Sequence, residues 1–204
     1  MQEKEVIEIL INKLNFKEPT IEKIIKFKNL LLDFNKKRNL ISKNSERDIW
    51  SRHILDSAQL VSYLDNFKGV LADFGTGAGF PGIIIEIFNA TSQFHVKLYE
   101  KSPVKRKFLN KVLQALSLKA ELYNNVYQNN VEADIIVCRA FKKIDEIIKI
   151  SREIAKKPRK IIILKGRNAQ AEINTISLGG DYSYKLEDSM TNSESKIVVF
   201  TNIK

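Results

Sequence analysis

The segment Asp73-Phe74-Gly75-Thr76-Gly77-Ala78-Gly79-Phe80-Pro81-Gly82 constrains this chain more than any other part of it. Gly69-Val70-Leu71-Ala72 runs into it, and Ile83-Ile84-Ile85-Glu86-Ile87-Phe88 follows it. An apolar run, a glycine-rich turn and a second apolar run read as a buried strand, a turn and an opening helix. Glycines at the alternate positions 75, 77 and 79 permit positive φ and let a ligand come where a Cβ would collide. Such a turn at the carboxyl end of a parallel strand is where open α/β sheets bind nucleotide-like ligands.

The remainder of the chain fits around that turn. Val6, Ile7, Leu10, Ile11 and Leu14 recur at helical spacing, as do Ile21, Ile24, Ile25, Leu31 and Leu32. Thr20, after Pro19, is predicted to cap the second helix. Ser45, with Asp48 in the capping-box position, is predicted to open a third, carrying Ile49, Trp50, His53, Ile54, Leu60, Val61 and Leu64. From Gly69 onward, short apolar runs predict strands at 69–74, 95–99, 120–123, 134–138, 160–164, 182–187 and 196–201. Helices are predicted between the first five, at 81–89, 103–117 and 142–156, with another at 168–176. Alternating strands and helices argue for a doubly wound, mostly parallel sheet with right-handed crossovers. The last two strands flank only Glu187–Asn192, so the sheet is expected to end antiparallel. Residues 1–66 then form a helical extension packed on the core, and residues 67–204 the sheet-bearing domain, in one structural unit.

Composition narrows the function classes. A chain of 204 residues holds one well-buried domain and an appended element. No apolar run approaches the roughly 18 residues of a membrane span, and the acidic start Met1-Gln2-Glu3-Lys4-Glu5 does not read as a secretory signal. A cytoplasmic protein is expected. One cysteine, Cys138, and two histidines, His53 and His95, give neither a disulfide nor a metal-site spacing. Cys138 reads as a small core residue. Net charge is +10 and unevenly placed: residues 97–111 carry six bases and one acid, and residues 139–167 carry eleven bases and three acids. Clusters of that kind beside a ligand-binding crevice point to a polyanion, nucleic acid above all, bound with a steep salt dependence.

Several residues carry candidate chemistry. Glu100 ends the predicted second strand, where a carboxylate can accept both hydroxyls of a ribose. Pro103 opens the next helix, whose buried stripe is predicted as Val104, Phe108, Leu109, Val112, Leu113 and Leu116. Lys105, Arg106 and Lys107 are either a solvated face or the border of an RNA path. Arg139 stands at the end of the strand predicted at 134–138, where a guanidinium needs an anion: a substrate phosphate, a ligand carboxylate or a structural acid. Lys165 stands at the tip of the following strand, before Gly166. His53 and Asp56 share a helix face and suit a structural lock onto the glycine turn better than catalysis. Asn35 and Asn39 lie near a helix end, where capping is the simple account.

Two ligands compete for the turn. A dinucleotide fingerprint fits only when shifted to Gly77, Gly79 and Gly82, with Pro81 inside it. An acid followed by alternate glycines, Asp73-x-Gly75-x-Gly77-x-Gly79, resembles motif I of class I methyltransferases instead. That resemblance implies a Rossmann-like sheet of seven strands with an antiparallel end, S-adenosyl-L-methionine as methyl donor, and an Asp73 carboxylate suited to the donor's ammonium. A nicotinamide-dependent reductase and a non-enzymatic RNA-binding assembly factor are the alternatives.

The wider pattern is similar to the glucose-inhibited division protein B family, bacterial small-subunit ribosomal RNA methyltransferases that form 7-methylguanosine. Asn35–Leu40, Arg52–Ser57, Asp73–Ile83, Lys105–Leu109, Cys138–Phe141 and Leu164–Gly166 carry the resemblance, in family order and spacing. It implies donor contacts at Gly75, Phe80, Val126, Tyr127 and Arg139, and an RNA contact at Lys165. The implied partner is 16S ribosomal RNA or the small subunit, approached by a monomer. Ala78 and Phe80 depart from the family's proline and leucine, and Lys196 replaces a family arginine. Ring nitrogen 7 of guanine bears no proton, so its methylation needs no obligate base and rests on positioning. Arg139 and Lys165 are the residues expected to grip RNA there and to aid the transition state.

Overall fold

The computed structural model describes residues 1–90, 93–128, 131–155, 158–176 and 180–203. Helices α1 (Glu3–Asn12), α2 (Glu18–Asn35) and α3 (Lys43–Arg47) lead to a π-helical turn, Trp50–Leu55, which runs through α4 (Asp56–Ala58) into a 3-10 turn, Gln59–Tyr63. Then come β1 (Val70–Phe74), α5 (Gly82–Phe88), β2 (His95–Tyr99), α6 (Pro103–Ala115), β3 (Glu121–Tyr123) and β4 (Ile135–Arg139). The chain closes with α7 (Ile144–Ile154), β5 (Lys160–Lys165), α8 (Ala169–Asn174), β6 (Tyr182–Asp188) and β7 (Lys196–Asn202).

The strands form one sheet in the order β3-β2-β1-β4-β5-β7-β6. The pairs β1·β2, β1·β4, β2·β3 and β4·β5 are parallel, while β7 runs antiparallel to both β5 and β6. The predicted sheet, with its antiparallel ending, is therefore present. The order reverses at β1, between β2 and β4, so the crevice a ligand would use opens at the tips of these strands. Apolar residues bury both faces: Ile135–Cys138 and Ile161–Leu164 are buried along almost their whole length.

One face is covered by α5, α6 and the N-terminal helices. Phe27 of α2 stacks near Phe80 and Phe108, with centroids 5.3 and 6.3 Å away, so extension, glycine turn and α6 share one core. The other face packs Ile144, Ile147 and Ile148 of α7 against Ile136, Ile161 and Phe200. Cys138 is fully buried there, and burial pushes its thiol up well beyond the ordinary range.

Local details differ from expectation where several residues could cap. Helix α2 begins at Glu18 rather than after Thr20, with Pro19 in its first turn; the Thr20 hydroxyl donates to the Lys17 carbonyl. Ser42, not Ser45, caps α3, and Asp48 lies past its end. Val104 is 42% exposed, outside the predicted buried stripe. The shifted dinucleotide fingerprint also fails locally, because Gly82 opens α5 and gives its amide to Asp73 Oδ2 at 2.8 Å. That donor is spent within the protein. Helix α7 ends at Ile154; of the residues predicted to extend it, 156 lies outside the described residues.

Candidate functional site

The glycine turn is bolted to the tip of β2. Gly75 and Thr76 amides both donate to the Tyr99 carbonyl, at 2.9 and 3.0 Å. Gly77 donates to Glu100 Oε2 at 2.9 Å, and Ser102 to Glu100 Oε1 at 2.7 Å. Glu100 thus braces the turn and the start of α6 together. Each of its oxygens keeps a second acceptor position.

Three connected chambers lie along this ridge. A cleft of about 400 Å³ is lined by Gly75, Gly77, Tyr99, Glu100, Lys105, Asn125, Val126, Tyr127 and Phe141, among others. A middle chamber of about 290 Å³ lies between the turn and the extension, lined by Leu40, Ile41, Ser42, His53, Gly77, Phe80, Lys105 and Arg139. An outer chamber of about 630 Å³ takes Arg52, His53, Asp56, Arg139, Lys165, Gly166, Thr191 and Asn192 into its walls. Ala140 borders all three.

Shape at the turn is set by what is missing. Gly77 has φ +62°, and a Cβ there would project toward the cleft with Lys105 Nζ at 4.0 Å. At Gly75 the restriction is contact: a Cβ would come within 2.5 Å of the Phe141 ring. Phe141 is itself held edge-on to Phe74, with centroids 6.0 Å apart.

Asp73 lies beneath the turn and lines none of the chambers. Its Oδ2 holds the first amide of α5, and complete burial pushes its carboxyl up to about 7, against the pull of Thr76 and the Gly82 amide. The carboxylate expected to meet a ligand's ammonium instead fixes the helix that follows the turn.

Arg139 reaches from β4 to the extension. Its Nη1 donates to the Arg52 carbonyl at 2.8 Å and lies 3.5 Å from Asp56 Oδ2, while Nη2 donates to His53 Nδ1 at 2.6 Å. The guanidinium also sits over the Phe80 ring at 5.2 Å, and His53 stacks on that ring at 4.9 Å. Among the anions weighed for Arg139, the structure supplies the structural acid, Asp56. Asp56 Oδ1 in turn accepts from Gln59 Nε2, Ser189 and Thr191, at 3.0, 3.3 and 3.2 Å. This network ties the β6–β7 loop to the extension. Burial raises the Asp56 carboxyl, and Arg139 opposes that rise.

Lys165 is similarly engaged. Its ammonium donates to both Glu172 oxygens, at 3.0 and 2.7 Å, and to the Lys142 carbonyl at 2.9 Å. Glu172 Oε2 also accepts from the Ile144 amide, so one carboxylate anchors both the β5 tip and the start of α7. Of the two cations expected to grip phosphate, each is committed first to the protein. Lys196 pairs with Asp188, its partner across the β6–β7 ladder. Asn35 braces the extension by accepting from the Leu40 and Ile41 amides and donating to Glu46, whereas Asn39 is exposed.

Comparison with known proteins agrees with this geometry. The model of the family described as rRNA small subunit methyltransferase G matches residues 20–196. The chain belongs to that family. The ribosomal RNA small subunit methyltransferase G of Orientia tsutsugamushi (strain Ikeda) is 35% identical over 185 residues, covering 90% of this chain and 91% of that protein. Its counterpart in Rickettsia akari (strain Hartford) is 35% identical over 184 residues, covering 90% and 94%. Among solved structures, the magnesium protoporphyrin IX methyltransferase of Synechocystis PCC 6803 superposes with a TM-score of 0.62 at 16% identity, covering 86% of this chain and 97% of that one. A putative RNA methyltransferase from Pyrococcus horikoshii gives 0.57 at 14% identity, covering 88% and 100%. Membership of the methyltransferase G family and the sheet order support the same fold.

Of the expected residues, Gly75, Gly77, Glu100, Val126 and Tyr127 share the cleft, with Phe80 and Arg139 in the adjoining chamber. Sequence reasoning missed Phe141 as a wall and Gln59, Ser189 and Thr191 as the network behind the outer chamber. The polar run Ser189–Asn192 between two strands was the available signal for the latter.

Proposed function

We propose that this protein transfers the methyl group of S-adenosyl-L-methionine to ring nitrogen 7 of a guanine in 16S ribosomal RNA of the small subunit. One observation carries the reading: a turn with glycine at 75, 77 and 79, at the sheet's reversal, opens on one side to Glu100 and on the other to chambers walled by Arg52, Arg139 and Lys165. The names of the relatives supply the substrate class.

The residues present fit the donor. Gly75 and Gly77 leave room for its approach to the backbone, and Glu100 has spare acceptor positions for ribose hydroxyls. Val126 and Tyr127 form the far wall, apolar enough to take an adenine ring, while Phe80 and Arg139 border the donor's tail. Bound there, S-adenosyl-L-methionine supplies a sulfonium-activated methyl group that the lone pair of guanine N7 takes by in-line displacement. Because N7 carries no proton, the chain has only to hold the base in register and exclude water. His53, neutral and tied to Arg139, is not poised as a base.

Arg139 and Lys165 then act by shaping an electropositive acceptor chamber, with the exposed Arg52 placed to meet phosphate at its rim. The extension, residues 1–66, and the methyltransferase domain, residues 67–204, serve as one unit in this reading, supported by their common core. No helix among the described residues is long and apolar enough to cross a membrane. We further propose action as a cytoplasmic monomer, which sedimentation of the purified protein tests.

The decisive experiment incubates the protein and S-adenosyl-L-methionine with small subunits lacking the modification, then maps 7-methylguanosine by borohydride–aniline cleavage. New scission at a single guanine is expected, absent with Gly75→Asp. Label incorporated without cleavage would move the methyl to another atom.

A further inference from the structure

Lys105 is a cation without a side-chain partner among the described residues, at the seam of two chambers. It lines both the cleft and the middle chamber, and its Nζ lies 4.0 Å from where a Gly77 Cβ would be. Among the described residues its ammonium makes no hydrogen bond or ion pair, although its neighbours do: Arg106 donates to the Glu100 and Lys101 carbonyls. Lys105 is only partly exposed, so solvent does not fully compensate for the missing anion. Its place in the fold adds to the cost. It lies in the first turn of α6, a turn with no acidic residue, where the helix dipole already concentrates positive charge. A structural role would not favour a lysine there.

Resting on the methyl-donor reading above, we propose that Lys105 binds the α-carboxylate of the donor's methionyl tail. Glu100 places the ribose end in the cleft, and the space continues past Gly75 and Gly77 into the middle chamber, toward which the tail must run. Its inner walls include Thr76, Ala78 and Phe80, all at most 5% exposed, while Ile41, Ser42 and Ser45 leave its outer side open, so an entering carboxylate gives up part of its water and is best met by a cation. Arg139, the other cation lining that chamber, is already engaged by Arg52, His53 and Asp56. Lys105 is the free one.

Calorimetry with two nucleosides separates the tail from the rest. S-Adenosylhomocysteine carries the carboxylate; 5′-methylthioadenosine lacks the amino-acid tail altogether. Lys105→Gln should weaken S-adenosylhomocysteine roughly tenfold or more and leave methylthioadenosine unchanged, while Lys105→Arg retains most of the affinity. Equal losses for both nucleosides, or no loss for either, would overturn the assignment. So would an unchanged donor affinity with RNA binding reduced, since Lys105 would then serve phosphate. If the unaltered protein binds neither nucleoside, the methyl-donor reading itself fails, which is a distinct result.

Discussion

Arg139 donates from Nη2 to His53 Nδ1 across 2.6 Å, and a guanidinium cannot accept, so the imidazole is the acceptor at that atom. The ring proton therefore resides on Nε2. Burial, with the charges of Arg139 and Arg52 adding to it, pushes the imidazole down to about 3, so the contact survives throughout the physiological range. Through it the tip of β4 is fastened to the π-helical turn of the extension.

His53→Phe keeps an aromatic ring against Phe80 but leaves one Arg139 donor without its acceptor. A loss of about 1–3 kcal/mol is expected in urea melts at pH 7. Because the folded protein favours the neutral ring, this group's contribution is full above pH 6.5 and is lost as pH falls toward 3. The advantage over the Phe variant should shrink over that window; a constant difference would contradict the fixed neutral state.

Asp73 gives the opposite slope. Its folded-state pKa, about 7, lies above the ordinary aspartate value of 3.8, so protonation favours folding. The contribution is complete below about pH 4 and declines as pH rises through 7. Asp73→Asn retains an acceptor for the Gly82 amide but cannot ionise. Between pH 4 and 7 the parent should lose stability relative to this variant, on the order of a few kcal/mol, and the gap should level off above 7.

Gly77→Ala tests the cleft. At φ +62° an alanine is strained by roughly 1–2 kcal/mol, and its methyl projects toward the cleft. Thermal melts should show a modest destabilisation, while calorimetry should show S-adenosylhomocysteine binding reduced far more than that strain accounts for.

The Lys165–Glu172 pair predicts an asymmetry. Glu172→Ala leaves a largely buried ammonium with the Lys142 carbonyl but no counter-charge, strands the Ile144 amide, and should cost about 3 kcal/mol in denaturant melts. Lys165→Met leaves Glu172 its amide partner and should cost less. Equal losses would argue that the Ile144 amide contributes nothing.

Much of the architecture was legible because it rests on short-range rules. The strand over His95–Tyr99 appears where apolar alternation put it, and the α6 start at Pro103 follows from proline's fixed φ. Caps were less legible: Ser42, Ser45 and Asp48 all have suitable side chains, and in the fold it is Ser42 that accepts from the Ser45 amide. The π-helical turn at Trp50–Leu55 has no residue signature in this stretch. Gly75, Gly77 and Glu100 could be brought to one cleft on motif position, since each follows a parallel strand, whereas Val126 and Tyr127 were placed there by the family resemblance.

The amino-acid order alone determined the alternating strands and helices, the antiparallel ending of the sheet and the glycines of the turn, because backbone sterics and burial periodicity act within a few residues. Tertiary structure decided what the charged groups do. Arg139 meets His53 from 86 positions away, Ser189 reaches Asp56 across 133, and Asp73 turns inward to a helix amide. A charge takes its role from the opposite charges and dipoles that the fold holds at hydrogen-bond distance in a dry environment, and that arrangement exists only after the chain has folded.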